Sequence, residues 1–328
     1  MIIDTHAHFV PPSLLDDVKT QRRLFPSLKT REENGQLCFS FAGAEMTRPV
    51  MPLLSDVEKR RAWIAAQAID RQVVGGWLDS FGYELPAAEG ADWSRFYNEH
   101  LIRGVKALPA LVPLATVPMQ SGTHAARVLD EALDMGFPGA MIGTQPKGLG
   151  GMLDDPDLTP FWEVAHSRGA TLFVHPMYGC DDDRLRAYGL VNAIGRITDT
   201  SIAIARLLCS GHLLKYFGAK LVLAHGGAAL PSVLGRLKRS HAALPTPADP
   251  GLSFAKLYFD SIVFDAQALR FLRTIAGNDK VVLGSDYPFP IGDWEPVKIV
   301  DALGLGEAER SAIVGATAAR LFNVKGMA

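Results

Sequence analysis

The chain has 328 residues, of which 48% are hydrophobic and 21% are charged, and this composition predicts a globular protein with a large core. The formal net charge is −2 at pH 7, so we expect no basic surface for nucleic acid or for a membrane. No apolar run reaches transmembrane length, and no leading segment is typical of a signal peptide. The cysteines are odd in number and widely spaced, which indicates a reducing cytoplasm rather than a disulfide framework; they are Cys38, Cys180 and Cys209.

The first predicted element is a strand over residues 2–5 that leads into His6 and His8. Positions i and i+2 of a strand share one face, so both imidazoles would point the same way. Two converging imidazoles supply half of a divalent metal site. The alternative is an exposed edge strand that carries two histidines without a shared ligand.

Residues 9–51 form a segment too long for a simple crossover. It contains a hairpin pattern at 36–41, preceded by the turn formers Asn34 and Gly35. We interpret it as an insertion after strand one. It would lie over the same barrel end as His6 and His8, as a lid or as a packing element.

Short apolar runs then alternate with helical patterns. The runs cover residues 73–78, 111–117, 139–142, 171–174, 220–224, 257–262 and 281–284. Their continuous apolar character is typical of strands buried on both faces of a parallel sheet. The helical patterns cover residues 92–106, 124–135, 160–168, 201–217, 266–276 and 307–322. About eight strand–helix units predict an α/β fold, a single (β/α)₈ TIM barrel domain over residues 1–328.

Further metal-ligating residue types occur where predicted strands end. His175 follows the run 171–174, His225 follows the run 220–224, and Asp286 comes two residues after the run 281–284. The carboxyl ends of barrel strands share one face, where active sites lie. A lone histidine is commonly a hydrogen-bonded core residue, and Asp286 alone could be a turn residue or a helix cap. Together with His6 and His8, however, these residues predict one cavity.

Imidazoles with one carboxylate favour a single divalent ion, with Zn²⁺ expected and Mn, Fe or Co as alternatives. Some barrels hold two metals bridged by a modified lysine on strand four. Here that strand ends Ile142-Gly-Thr-Gln145, and Lys147 lies beyond it in a Gly/Pro-rich loop. We therefore predict a mononuclear site.

Four segments carry a family resemblance, namely Asp4-x-His-x-His8, Val174-His-Pro176, Ala224-His-Gly-Gly227 and Leu283-Gly-Ser-Asp-Tyr-Pro-Phe-Pro290. They resemble the amidohydrolase superfamily, in the decarboxylase branch typified by the 2-amino-3-carboxymuconate-6-semialdehyde decarboxylases. The similarity covers nearly the whole chain and includes Tyr258-x-Asp-Ser261. It implies metal-dependent, non-oxidative decarboxylation of a small unsaturated or aromatic carboxylic acid. The same parts could hydrolyse a lactone, amide or ester, and a hydratase is a third possibility.

The resemblance also implies roles for individual residues. The ion would be held by His6, His8, His175 and Asp286. His225 matches an acid/base histidine, and Asp286 is a second candidate for proton transfer. Arg236 matches an arginine that reaches the substrate carboxylate in the neighbouring subunit of a homodimer, whereas a solvated helix residue is the alternative.

The chain departs from this branch beside the predicted site. Its segment 188–192 has no tryptophan where the branch has one. Gly195-Arg196-Ile197 replaces a Gly-Met-Pro sequence and adds a positive charge. Arg196 is therefore a further candidate for binding the substrate carboxylate, since arginine binds carboxylates bidentately. The resemblance also implies a second carboxylate-binding arginine in the insertion, for which Arg48 is the nearest candidate.

Overall fold

The computed structural model describes residues 1–20, 25–148 and 150–325. Eight of its strands run parallel in two sheets, and two more form an antiparallel hairpin. The strands are β1 (Ile3–His8), β2 (Leu28–Glu33), β3 (Gln36–Phe41), β4 (Arg71–Gly75), β5 (Leu111–Pro113), β6 (Gly139–Gly143), β7 (Thr171–His175), β8 (Lys220–Leu223), β9 (Tyr258–Asp260) and β10 (Val281–Val282).

The two parallel sheets, β1-β4-β5 and β6-β7-β8-β9-β10, meet at both edges. Ala115, just beyond β5, bridges Ala140 of β6, and Ala7 of β1 bridges Tyr287 beyond β10. At the second seam the Thr5 amide donates to the Leu283 carbonyl at 2.8 Å. These bridges close the barrel, so the predicted (β/α)₈ fold is confirmed.

The helices surround the barrel. They are α1 (Pro12–Lys19), α2 (Val57–Ala66), α3 (Ala87–Ala107), α4 (Gly122–Asp134), α5 (Thr159–Ser167), α6 (Arg196–Ser210), α7 (His212–Lys215), α8 (Leu230–Ala243), α9 (Pro250–Phe254), α10 (Ala266–Ala276), α11 (Pro296–Asp301), α12 (Glu307–Ser311) and α13 (Thr317–Leu321). Across the described ranges, none of them combines the length and apolar character needed to cross a membrane.

The prediction of one helix over residues 201–217 is wrong. Gly211 has φ +81°, a left-handed conformation that ends α6 and separates it from α7. The apolar periodicity continues across this break, which is why the sequence pattern reads as one helix. Among the described residues, five helices lie outside the predicted helical patterns, namely α1, α2, α8, α9 and α11.

The insertion contains the expected hairpin, with Asn34 (φ +49°) and Gly35 (φ +76°) in the turn between β2 and β3. The left-handed conformation at both turn positions explains the Asn-Gly pair. Phe39 and Phe41 pack against Trp93 of α3, with ring centroids 6.1 and 5.7 Å apart. The hairpin is therefore joined to the core of the domain by aromatic packing.

His100 of α3 is fully buried, and we expect it to make the stability of the fold sensitive to acid. Its Nδ1 lies 2.7 Å from Ser13 Oγ. Burial, reinforced by Arg103 and opposed by Asp17, lowers its pKa from 6.5 to about 4. His100 therefore binds a proton below about pH 6.5 in the unfolded chain, but only below about pH 4 in the folded chain. We expect roughly 3 kcal/mol of folding free energy to be lost over this interval.

Urea denaturation at pH 7.5 and at pH 4.5 measures this loss. The comparison is with His100→Gln, in which the contribution of the buried imidazole disappears. An equal loss of stability in both proteins would show that other groups cause it.

Candidate metal centre

Strand β1 places His6 and His8 in the barrel interior. Both are fully buried, and their Nε2 atoms are 3.3 Å apart. His8 Nδ1 lies 3.1 Å from the Gly76 carbonyl oxygen, which can only accept a hydrogen bond. The His8 Nδ1 therefore carries the proton, and its Nε2 lone pair points toward His6.

The other three predicted residues reach the same point from β7, β8 and β10. His175 lies with its ring centroid 5.0 Å from that of His6 and 4.8 Å from that of His8. Asp286 Oδ1 is 3.4 Å from His6 Nε2 and 3.2 Å from His8 Nε2. His225 Nε2 is 3.7 Å from Asp286 Oδ2. Five side chains from four strand ends thus converge.

Unusual backbone conformations aim two of these side chains. Asp286 has φ +58°, and His225 begins a run of four positive φ values that ends at Ala228. Within that run, a Cβ on Gly226 would lie 2.4 Å from Val263 Cγ1, and one on Gly227 would lie 2.5 Å from Phe259 Cδ1. Only glycine fits there, which accounts for the His-Gly-Gly sequence. Such strained conformations are typical of functional sites.

The residues present fit a divalent cation. Ligand atoms of His6, His175, His225 and Asp286 all lie within 4.8 Å of one another. His175 Nε2 and Asp286 Oδ1 are buried and have no hydrogen-bond partner among the described residues. Buried polar atoms without partners are costly, and a cation between imidazoles and a carboxylate would satisfy them. The five donors exceed the four that a closed site needs, so the role of each remains a prediction.

The charge states also suit metal binding. Burial, together with the neighbouring histidines, holds the pKa of His175 well below 6.5, so its imidazole is neutral. Burial would raise the pKa of Asp286, but the attraction of His6 and of the other imidazoles beside it outweighs burial and holds that pKa well below 3.8. For His6, burial is outweighed by Asp286 and Asp260, which raise its pKa to about 10, so a metal ion must displace a proton there.

Sequence reasoning did not identify Asp260, which lies at the end of β9 and is fully buried. Its Oδ2 is 2.7 Å from His6 Nδ1 and accepts from the His225 amide at 3.0 Å. Its Oδ1 accepts from the amides of Gly226 at 2.7 Å and Ile262 at 3.1 Å. The signal was present, since Asp260 is a carboxylate at a strand end, like Asp286.

A cavity of about 1180 Å³ opens above the five side chains. His8, His175, His225 and Asp286 line its floor. Its walls are mostly apolar and come from Trp77, Leu185, Val191, Ile197, Val263 and Phe289, among others. The cavity can therefore hold an apolar molecule whose polar group faces the floor.

The three predicted arginines occupy different positions. Arg196 is half-buried and lines the cavity, and its Nη1 donates to the carbonyls of Pro176 at 3.2 Å and Met177 at 3.1 Å. Arg48 also lines it, with Nη2 donating to Asp79 Oδ2 at 3.0 Å. Arg236 is exposed on α8 and is absent from the cavity wall. The structure thus brings two of the three to the site within one chain.

The chain is similar to several known proteins. A family model described as amidohydrolase matches residues 3–324. The 2-amino-3-carboxymuconate-6-semialdehyde decarboxylase of Dictyostelium discoideum is 32% identical over 243 residues, which is 72% of this chain and 67% of that protein. The 2-keto-4-carboxy-3-hexenedioate hydratase of Sphingobium sp. is 23% identical and covers 98% of this chain and 96% of its own length. The crystal structure of dihydroxybenzoic acid decarboxylase from Polaromonas sp. JS666, with bound manganese and the inhibitor 2-nitroresorcinol, has a TM-score of 0.80 at 20% identity, covering 99% of this chain and 98% of that one.

Proposed function

The chain belongs to the amidohydrolase family, in its decarboxylase branch, and on that premise we propose that it removes carbon dioxide from a small unsaturated or aromatic carboxylic acid without oxidation. The observation that carries this proposal is the cluster of imidazoles and one carboxylate beneath a mostly apolar cavity. An apolar wall suits an unsaturated body, and the charged floor suits its polar substituents.

We assign the metal to His6, His8, His175 and Asp286, and we propose Zn²⁺ as the ion. The donor set supports this choice, because Zn²⁺ prefers nitrogen ligands with few carboxylates. Mn²⁺ is the alternative, since the similar dihydroxybenzoic acid decarboxylase binds manganese. When bound, the ion supplies positive charge and Lewis acidity toward a substrate oxygen.

We expect about one divalent ion per chain in the purified protein, because the candidate ligands form a single cluster. Elemental analysis by plasma mass spectrometry measures the content. Removal of the ion with a chelator should also lower the melting temperature, since the ion binds only the folded chain. Two ions per chain would contradict the mononuclear assignment.

We assign to His225 the transfer of the proton that the reaction requires. Its ring lines the cavity and is 15% exposed, and its Nε2 faces the Asp286 carboxylate. Protonated Nε2 would give its proton to the substrate carbon that bears the carboxylate. The C–C bond then breaks, its electron pair restores the unsaturated system, and carbon dioxide leaves. His225 regains a proton from solvent, so one proton is consumed per turnover.

Arginines would hold the departing carboxylate. Arg196 supports this role because it lines the cavity wall, whereas Arg48 is already paired with Asp79. We propose that Arg236 reaches the site of a second copy in a homodimer. Ile202 of α6 and Leu252 of α9, helices that pack against α8, are 54% and 62% exposed, as expected of an interface between copies. The cytoplasm is the proposed location, because all three cysteines are free.

Product analysis distinguishes decarboxylation from the alternatives. The protein, loaded with Zn²⁺ or Mn²⁺, would be incubated with unsaturated and aromatic carboxylic acids, and carbon dioxide release would be measured. Lactones, amides and esters in parallel would reveal a hydrolase by acid release. The hydratase similarity over nearly the whole chain makes water addition the second candidate, visible as loss of substrate absorbance without carbon dioxide. Acid release or water addition alone would refute the proposal.

A further inference from the structure

We propose that Asp260 is a positioning residue that fixes the ring proton of His6 and the backbone of His225 at the same time. This proposal depends on the proposed metal site but not on the proposed reaction. One carboxylate would thereby set both the metal-facing nitrogen and the position of the proton-transfer group.

Asp260 contacts the ring of His6 directly. Asp260 Oδ2 lies 2.7 Å from His6 Nδ1, and an ionised carboxylate can only accept hydrogen bonds. The Nδ1 proton is therefore fixed on the Asp260 side of the ring. The opposite nitrogen, Nε2, which faces His8 and Asp286, is the one available to the metal. A carboxylate behind a histidine ligand fixes its tautomer and raises its basicity.

Asp260 also contacts the turn after β8. Asp260 accepts from three backbone amides, those of His225, Gly226 and Ile262. His225 needs such support, because its φ of +55° is unfavourable for a residue with a Cβ. The conformation of this turn determines where the His225 ring enters the cavity. A shift of this backbone would move the imidazole away from Asp286.

All four acceptor positions of Asp260 are thus used, two on each oxygen. Asparagine has the same shape but a single acceptor oxygen. If that oxygen faces His6, the NH₂ group meets the amides of Gly226 and Ile262, which are also donors. If the NH₂ group faces His6, it favours a bare Nδ1 and a protonated Nε2, which opposes metal binding. Neither orientation preserves both functions.

The experiment compares wild type with Asp260→Asn and Asp260→Ala in the full-length protein. Zn²⁺ affinity is measured by competition with a fluorescent chelator. Backbone amide hydrogen exchange around residues 225–226 and 262 is measured with Zn²⁺ in excess. For Asp260→Asn we expect either a fall of about 10–100-fold in Zn²⁺ affinity or an exchange rate at least about tenfold higher in that turn. Asp260→Ala should show both changes.

The matched control is Asp199→Asn. Asp199 is also a buried carboxylate at this end of the barrel, but it accepts from Thr144 Oγ1 at 2.5 Å rather than from the histidines. It should keep wild-type Zn²⁺ affinity and wild-type exchange around residues 225–226. Wild-type values of both quantities in Asp260→Asn, or equal changes in the control, would overturn the proposal. If no acid releases carbon dioxide while Asp260→Asn weakens Zn²⁺ binding, only the proposed reaction is refuted.

Discussion

Replacement of His225 with alanine is expected to lower kcat by about 10²–10⁴-fold, the usual contribution of a positioned general acid. The metal content should remain at about one ion per chain. The reason is geometric, because His225 lines the cavity and enters it from a separate turn, while His6, His8, His175 and Asp286 suffice as ligands. Turnover and plasma mass spectrometry on the same preparation provide both readouts.

His8→Ala is the matched comparison, since its side chain stands in the same cluster with Nε2 3.2 Å from Asp286. It should lose the metal together with activity. If His225→Ala instead loses the metal and His8→Ala retains it, the two histidines exchange roles. The carboxylate and the remaining imidazoles can satisfy a cation in either case, so this pair of variants decides the assignment.

Mixing two inactive variants should restore activity if Arg236 serves the neighbouring site. One variant carries Arg236→Ala and the other His225→Ala, and each homodimer alone should be nearly inactive. In a hybrid dimer, the protomer with intact His225 receives the intact Arg236 of its partner, so one of its two sites works. With random exchange in a two-fold dimer, we expect roughly a quarter of wild-type activity.

The control mixes His225→Ala with an Asp286→Asn variant, whose defects both lie in the floor of one cavity. Hybrids of that pair should stay inactive, because His225 and Asp286 line the cavity of the same chain and each protomer of the hybrid lacks one of the two groups. Exchange is verified by mass spectrometry of differently tagged chains. Absence of recovery in verified Arg236→Ala hybrids would leave Arg196 as the arginine of the site.

The sequence predicts the barrel and the five converging residues because both depend on local patterns. A buried parallel strand is a continuous apolar run, and the residue after it lies at the barrel mouth whatever the helices do. Asp260 has the same placement, but its partners His6 and His225 are 254 and 35 positions away, and no local pattern records such a contact. The same holds for Arg60 of α2, fully buried with Nη2 donating to the His8 carbonyl at 2.5 Å.

Arg236 and Arg48 show a different limit. The family resemblance implies carboxylate binding for both, yet the fold leaves Arg236 exposed on α8 and pairs Arg48 with Asp79. The role of a long side chain on a surface helix depends on what lies opposite it, and for Arg236 the proposed homodimer would supply that surface. Arg196 lines the cavity because α6 begins beside it, at a boundary that propensity alone places poorly.

The barrel seam beside the metal cluster constrains how the protein is made. Thr5 Oγ1 donates to the Leu283 carbonyl across a separation of 278 residues, so Leu283 must be synthesised before β1 can make this contact. Before this contact forms, a cation could bind His6 and His8 only without Asp286. Contacts this distant in sequence form late, after the entropy of closing a very long loop has been overcome. His6 and His8 are therefore synthesised long before Asp286, and all five side chains of the cluster come together only after this seam has closed.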